Sequence, residues 1–234
     1  MKTLKSLGWI TLVSLVLMSS AAALAQVLSV RQITGYHAGV GEINYAPIIG
    51  SGYGSDVTVS NGFESFCISR NAYIRIPGTY YAFVNTNGVY FPDNFTISKG
   101  TAWLYSQFAH GVLTGYRYAG AELFDFGHSL SARAEDAHGL QLAIWTLEGQ
   151  YWYGAGPGPF SLVEDLGNPW LDMVATVFGG GTNGLLTAMG ANNPGDYNVG
   201  VINLNYINDD GSVGAIAQPG LLWANSIAQR PRMV

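Results

Sequence analysis

The sequence predicts an α+β fold, mainly β, in which an antiparallel β-sandwich or barrel carries an inserted helical segment at about residues 100–180. Three observations predict it. Short runs of alternating apolar and polar residues, separated by Gly, Asn and Pro, occupy the chain before residue 90. Capped segments with helical spacing follow, and strand-like runs return after residue 197. Glycine supplies 31 of the 234 residues and charged residues only 11%, which is typical of a loop-rich β protein rather than a disordered one.

The first 25 residues are predicted to be a secretory signal peptide. Lys2 and Lys5 precede an apolar stretch over residues 7–18, and residues 23–25 (Ala-Leu-Ala) form a small-residue cleavage site. We expect the rest, residues 26–234, to be a single extracellular domain. This domain contains eight of the ten basic residues and all fifteen acidic residues, so its formal net charge is 8 − 15 = −7. This charge argues against nucleic acid and anionic membrane as partners, and no later stretch is apolar and long enough to span a bilayer.

Strands are expected wherever apolar and polar residues alternate between turn residues. The strands expected before residue 90 cover residues 27–30, 56–59, 63–69, 73–76 and 80–84. Asn-Gly dipeptides at residues 61–62 and 87–88 indicate hairpin turns. Strands are expected again over residues 197–206 and after a turn at residues 208–211.

Three helices are expected between these two groups of strands. Thr101 is the candidate cap of a helix that runs to residue 109. Ser131 caps the longest helix, which continues to about residue 148 and ends at Gly149. Asn168 caps a third helix, with proline at its first position, that runs to residue 178. The glycine-rich residues 155–159 and 179–181 are predicted to be loops.

The most informative residue is Cys67, the only cysteine of the chain. A secreted protein rarely keeps an unpaired thiol without a use for it. Gln141 follows 74 residues later (141 − 67). A thiolate is a strong nucleophile and a carboxamide is a latent acyl group. Joined with loss of ammonia, the two side chains would form an internal thioester, a stored electrophile that can acylate another molecule.

The helical spacing places Gln141 on an inward-looking stripe with Ala137, Ile144 and Trp145. A buried amide without a partner costs about 1–3 kcal/mol, so this glutamine needs either a hydrogen bond or a covalent bond. Gly139 lies on the same helix, and we expect it to permit close approach of another backbone, such as the strand of Cys67. The strand alternation leaves open whether the Cys67 side chain faces core or surface.

The motifs around the pair extend the argument to a known family. They are Phe66-Cys67-Ile68, Gly100-Thr101-Ala102-Trp103-Leu104-Tyr105 with Phe108 and Gly111, and Leu140-Gln141 followed by Ala143-Ile144-Trp145 and Leu147-Glu148-Gly149. These motifs resemble those of the thioester domains of bacterial surface adhesins. It is more similar still to a group of secreted proteins of Gram-negative bacteria, many of which carry a C-terminal exosortase sorting signal (PEP-CTERM).

The resemblance covers roughly residues 60–205 and has two departures. Leu140 stands where the adhesins have a threonine before the glutamine. Residues 221–234 do not contain a Pro-Glu-Pro signal followed by a membrane-spanning helix and a basic tail. The resemblance implies that Cys67 and Gln141 form the thioester. It also implies a location outside the cell or at the cell surface of a Gram-negative bacterium, and a role in adhesion or biofilm matrix. The partner would be an amine-bearing protein or glycan.

His138, three residues before Gln141, is the candidate proton acceptor for this chemistry. We expect no metal, because the four histidines lack zinc-ligand spacing, and no cofactor, because no phosphate loop or nucleotide motif is present. The chain is then not an enzyme beyond a single self-acylation.

Two other functions remain open from the sequence. The first is a structural matrix protein without a reactive bond, in which the thioester is only an internal staple or is absent, and whose aromatic residues 116–118 and 151–153 bind glycan or sister subunits. The second is a cysteine hydrolase that uses Cys67 and a histidine, although no sequence signature supports it.

Overall fold

A computed structural model describes residues 26–37, 40–47, 63–70, 72–85, 88–89, 94–118, 132–150, 167–192 and 196–223. Their architecture is α+β, as the sequence predicts. A nearly closed, barrel-like antiparallel sheet is packed against four helices. All four helices come between two strands of the chain, after residue 95 and before residue 199.

The main sheet has seven strands: β1 (Gln26–His37), β2 (Val40–Pro47), β3 (Phe63–Ser65), β4 (Gly78–Asn85), β7 (Val199–Ile207), β8 (Val213–Ile216) and β9 (Gly220–Trp223). Their order is β3-β2-β1-β4-β7-β8, and β9 also pairs with β7. A separate hairpin consists of β5 (Gly88–Val89) and β6 (Asn94–Phe95). An isolated antiparallel bridge between Cys67 and Gly220 connects the β3 end of the sheet to β9 and nearly closes the barrel.

The helices are α1 (Lys99–Ala109), α2 (Ala132–Leu147), α3 (Pro169–Val177) and α4 (Gly181–Gly190). The cap of α1 is Ser98, whose Oγ accepts from the Thr101 N–H at 3.1 Å, so the prediction of Thr101 as the cap was wrong by one turn. The predicted cap Asn168 is confirmed, with Oδ1 accepting from the Trp170 N–H at 3.1 Å. Ser131, the predicted cap of α2, lies outside the described residues. In the described ranges, no helix is both long and apolar enough to cross a bilayer.

Several predicted elements differ from the structure. The strand expected over residues 63–69 ends at residue 65, and residues 73–76 form no strand. The sequence reading also missed β2, and it treated residues 179–181 as a loop although α4 begins at Gly181. A side chain at Gly184 would overlap the carbonyl oxygen of Ala175. Close packing of α4 on α3 therefore requires a glycine at position 184. The strand expected over residues 56–59, the turn at 61–62 and the loop at 155–159 lie outside the described residues.

The buried apolar residues form two clusters on opposite sides of the chain segment around Cys67. The helical cluster contains Phe66 and Ile68 together with α1, α2 and α3 residues. The sheet cluster contains Cys67 with strand residues such as Tyr45 and Leu204, and with Trp145 from α2. Successive side chains of an extended segment point to opposite faces. This alternation places Cys67 in the sheet cluster and answers the question that the sequence left open.

Candidate functional site

The backbone around Cys67 is held on one edge by the segment that enters β9. Residues 66–68 lie beside residues 219–221, and the flanking residues exchange two backbone hydrogen bonds of 3.1 and 3.2 Å. This pattern makes Cys67 and Gly220 a non-hydrogen-bonded antiparallel pair, in which the side chains lie close together. The N–H and C=O of Cys67 therefore point away from Gly220, toward the opposite edge.

At that opposite edge, the side chain of Gln141 takes the place of a neighbouring strand. The Cys67 N–H donates to Gln141 Oε1 at 2.9 Å, and Gln141 Nε2 donates to the Cys67 carbonyl at 2.7 Å. Cys67 is 3% exposed and Gln141 is 0% exposed. The structure thus brings the two predicted site residues together in the interior, and it provides the partner that a buried carboxamide requires.

The helix α2 presents Gln141 through the inward stripe that the sequence predicts. Ala137, Ile144 and Trp145 are all buried together with Gln141. The first two pack in the helical cluster, and Trp145 packs in the sheet cluster, to which Cys67 also belongs. Gln141 therefore sits where α2 crosses from one cluster to the other, which directs its carboxamide at the Cys67 backbone.

A cluster of charged side chains fixes the beginning of α2 against the sheet. Arg133 donates from Nε to Glu42 Oε2 at 2.8 Å and from Nη2 to Glu64 Oε1 at 2.7 Å. The Tyr116 hydroxyl donates to Glu42 Oε1 at 2.6 Å. Glu42 is fully buried, and this burial, reinforced by the nearby Glu64 charge, raises the pKa of Glu42 to about 7 although Arg133 opposes the shift. These bonds set the position of α2, and hence of Gln141, relative to β2 and β3.

The burial of Cys67 keeps its sulfur uncharged. Burial raises the pKa of the Cys67 thiol well above its usual range, because a thiolate loses the solvation of water. Trp145 belongs to the same apolar cluster as Cys67, whereas Trp103 packs against the helical cluster. The site therefore holds a neutral thiol beside a neutral, polarised carboxamide.

The other predicted features of α2 have different places. His138 lies one turn before Gln141 and is half-buried; its role as a proton acceptor remains a prediction. Gly139 faces α3 and not the strand of Cys67, which corrects the expectation for this glycine. A Cβ at Gly139 would lie 2.6 Å from Cζ3 of Trp170, and the Gly139 carbonyl accepts from Asn168 Nδ2 at 2.8 Å.

The aromatic residues proposed for glycan binding are only partly described. Tyr116 is buried and bonded to Glu42, and Tyr118 is half-buried against Phe108. Of residues 116–118, only Arg117 is exposed, so these three residues do not form an exposed aromatic platform. Residues 151–153 lie outside the described residues. Within the described part of the chain, no three His, Cys, Asp or Glu side chains are grouped to hold a metal ion.

Comparison with known protein families, curated proteins and solved structures finds no match to this chain. The functional argument therefore rests on the geometry of the Cys67–Gln141 site. The sequence reading had missed Tyr45, Glu42 and Arg133 as neighbours of the site. The only local signal for the first two was the alternation of residues 42–45 (Glu-Ile-Asn-Tyr), which is typical of a strand.

Proposed function

We propose that the chain is a secreted surface or matrix protein in which Cys67 and Gln141 form an internal thioester used for covalent attachment to amine-bearing partners. The observation that carries the proposal is the double hydrogen bond between the Gln141 carboxamide and the Cys67 backbone in the interior. It supports the proposal because thiol and acyl group are held together in one orientation, which lowers the entropic part of the barrier. The resemblance to bacterial thioester domains supports the same chemistry, the extracellular location, and a single domain with an inserted helical segment.

In the proposed bond-forming step, Cys67 Sγ attacks the Gln141 side-chain carbon. The C–S bond forms, the C–N bond breaks, and Nε2 leaves as ammonia after taking the thiol proton. The Cys67 N–H already donates to Oε1 at 2.9 Å, the oxygen on which negative charge develops. A backbone donor in a dry site stabilises such an oxyanion. The Cys67 side chain leaves the strand roughly perpendicular to its hydrogen bonds, which suits attack on the face of the carboxamide.

In the proposed transfer step, the nitrogen of a partner amine attacks the acyl carbon. The C–S bond breaks, Sγ becomes a thiol again, and an amide joins the partner to residue 141. His138 is the proposed acceptor of the amine proton. Lys99 is the only lysine after the predicted cleavage site, and its Nζ forms an ion pair with Asp196 at 2.9 Å. A sister molecule therefore offers few amines that compete with the true partner.

A second function is favoured by the burial of the pair. With Cys67 3% exposed and Gln141 0% exposed, a thioester between them would be shielded from water and also from large amines. The bond would then act as an internal staple in a structural matrix protein. Capture of a partner requires α2 to move away from residue 67, whereas a staple requires no motion. The hydrolase alternative is less well supported, because Cys67 is buried and the side chain held against its backbone is that of Gln141 rather than of a histidine.

The deciding experiment is the intact mass of the purified protein, measured before and after incubation with methylamine under native conditions and again in denaturant. We expect a mass lower by one ammonia, which Cys67→Ala and Gln141→Leu abolish. Gln218→Leu is the matched control, because Gln218 is also buried and bonds a backbone carbonyl, but that carbonyl belongs to Ser69 and not to Cys67.

The outcomes separate the proposals. A methylamine adduct formed in the native state supports covalent capture. An adduct formed only in denaturant supports the staple. A full mass together with a titratable thiol refutes the thioester in both forms.

A further inference from the structure

The contact between Gln141 and Cys67 uses one particular edge of the carboxamide. Oε1 accepts from the Cys67 N–H at 2.9 Å, and Nε2 donates to the Cys67 carbonyl at 2.7 Å. A planar carboxamide reaches the N–H and C=O of one residue together only with its oxygen and with the Nε2 hydrogen that lies on the same side as that oxygen. The 2.7 Å between Nε2 and the carbonyl oxygen leaves space for this hydrogen but not for a carbon atom.

This edge distinguishes between the amides that opening of a thioester would produce. Ammonia restores the carboxamide of Gln141 with both Nε2 hydrogens, so the same contact can form again. A primary amine leaves one hydrogen and one carbon substituent on Nε2. A secondary amide strongly prefers to hold its substituent on the same side as the oxygen and its hydrogen on the opposite side. The substituent then points at the Cys67 carbonyl oxygen, and the remaining hydrogen points away from it.

The surroundings of Nε2 do not accommodate such a substituent in the closed structure. Gln141 is 0% exposed, as are Ala137 and Ile144 on the same stripe of α2. The backbone of residues 66–68 is fixed from its other edge, because two backbone hydrogen bonds of 3.1 and 3.2 Å join it to residues 219–221. A chain attached to Nε2 therefore separates the Gln141 side chain from the Cys67 backbone.

We propose that this edge makes covalent capture one-way, because a partner attached to Nε2 prevents Gln141 from closing again on the Cys67 backbone; the proposal rests on the proposed thioester chemistry. Release of the partner is the reverse of capture. Sγ attacks the acyl carbon, the C–S bond forms, the C–N bond to the partner breaks, and the nitrogen leaves as the amine after taking the thiol proton. This step needs the thiol held against the acyl carbon. The unsubstituted carboxamide keeps that alignment through its two hydrogen bonds, and the substituted amide loses it.

The test compares two products of the same protein that differ only by one methyl group on Nε2. The thioester is opened with ammonia in one sample and with methylamine in the other, in denaturant followed by refolding if the native state does not react, and the free amine is then removed. We expect the Cys67 amide hydrogen to exchange at least about tenfold faster in the methylamine product, as measured by NMR. Intact mass should show that the ammonia product loses ammonia again, whereas the methylamine product keeps its mass. The Ile68 and Leu221 amides, which bond across the other edge, are the controls and should exchange alike in both products.

The possible failures are distinguishable. An equally protected Cys67 amide in the two products, or loss of methylamine as fast as loss of ammonia, overturns the one-way proposal and leaves the thioester standing. Faster exchange of the Ile68 and Leu221 amides in the methylamine product also overturns it, because the methyl group would then loosen the whole region rather than the contact with Gln141. If the purified protein has its full mass and neither amine reacts, the proposed thioester fails and the one-way proposal fails with it.

Discussion

Replacing Cys67 with alanine distinguishes a covalent from a hydrogen-bonded contact with Gln141. The substitution removes only Sγ, because both hydrogen bonds to Gln141 use the backbone of residue 67 and survive. Without a thioester, the expected loss is that of one buried heavy atom, about 1 kcal/mol of the free energy of unfolding.

If the thioester forms, the same substitution also opens a covalent loop. The two residues are 74 positions apart in the chain. A crosslink that closes a loop of this length raises the free energy of the unfolded chain by about 4 kcal/mol. The total expected loss for Cys67→Ala is then about 5 kcal/mol, the sum of the loop term and the side-chain term.

The assay is urea unfolding of the wild type and of Cys67→Ala, followed by tryptophan fluorescence. The matched control is Ile202→Val, which removes one heavy atom from the same cluster and should cost about 0.5–1.5 kcal/mol. Opening the covalent loop should also increase the dependence of the unfolding free energy on urea, because the unfolded chain exposes more surface.

One result would refute the thioester and another would refute the energetic reasoning. A loss equal to that of Ile202→Val, with an unchanged urea dependence, excludes a covalent loop. If the wild type has its full mass, no thioester is present. A loss of about 5 kcal/mol in Cys67→Ala would then show that opening a covalent loop is not the cause of the loss.

Three further substitutions test the surroundings of the site. Without a thioester, Gln141→Leu should cost about 2–6 kcal/mol in urea unfolding, because it leaves one buried N–H and one buried C=O unpaired, and with a thioester the loop term of about 4 kcal/mol also applies. Gln218→Leu should cost less in either case, and equal losses would contradict this. Because burial raises the pKa of Glu42 from 4.5 to about 7, the folded state binds its proton more tightly. The contribution of Glu42 to stability is fully present below pH 4.5, and the free energy of unfolding should fall by about 3 kcal/mol as the pH rises through about 7. Glu42→Gln should flatten this dependence in thermal melts between those pH values, and an unchanged slope would argue against the assignment. Gly139→Ala should lower the melting temperature by the equivalent of about 1 kcal/mol or more, since contact with Trp170 outweighs the gain in helix propensity; a higher melting temperature would contradict it.

The sequence predicted the contact between Cys67 and Gln141 because the motifs around the two residues resemble those of thioester domains, and because each residue carries a weak local signal of its own. Gln141 interrupts an apolar stripe at helical spacing, so its burial and its need for a partner follow from the period of the helix. Cys67 is the only thiol in the chain. Neither signal specifies how the two groups meet. The bidentate contact with the Cys67 backbone depends on the bridge to Gly220, and no local pattern encodes that bridge.

The misplaced elements and missed neighbours share one physical cause, which is contact between distant parts of the chain. Arg133 and Glu42 are 91 residues apart, so no local pattern links them. Residues 179–181 were read as a loop because the contact of Gly184 with Ala175, which packs α4 on α3, is not visible in the local sequence. Residues 73–76 alternate in exposure as a strand does, yet none of the strands that the structure describes pairs with them.

The ion pairs of Arg133 also have a mechanical consequence. Under the proposed chemistry, the partner becomes attached to residue 141, which belongs to α2, and the sheet is released once the C–S bond breaks. Tension on the partner then enters α2, and Arg133 lies eight residues earlier (141 − 133), about 12 Å along the helix axis. Its bonds to Glu42 and Glu64 tie the helix to β2 and β3. The force needed to peel α2 from these two strands, rather than the strength of the new amide, would set how long a tethered partner stays joined to an intact fold.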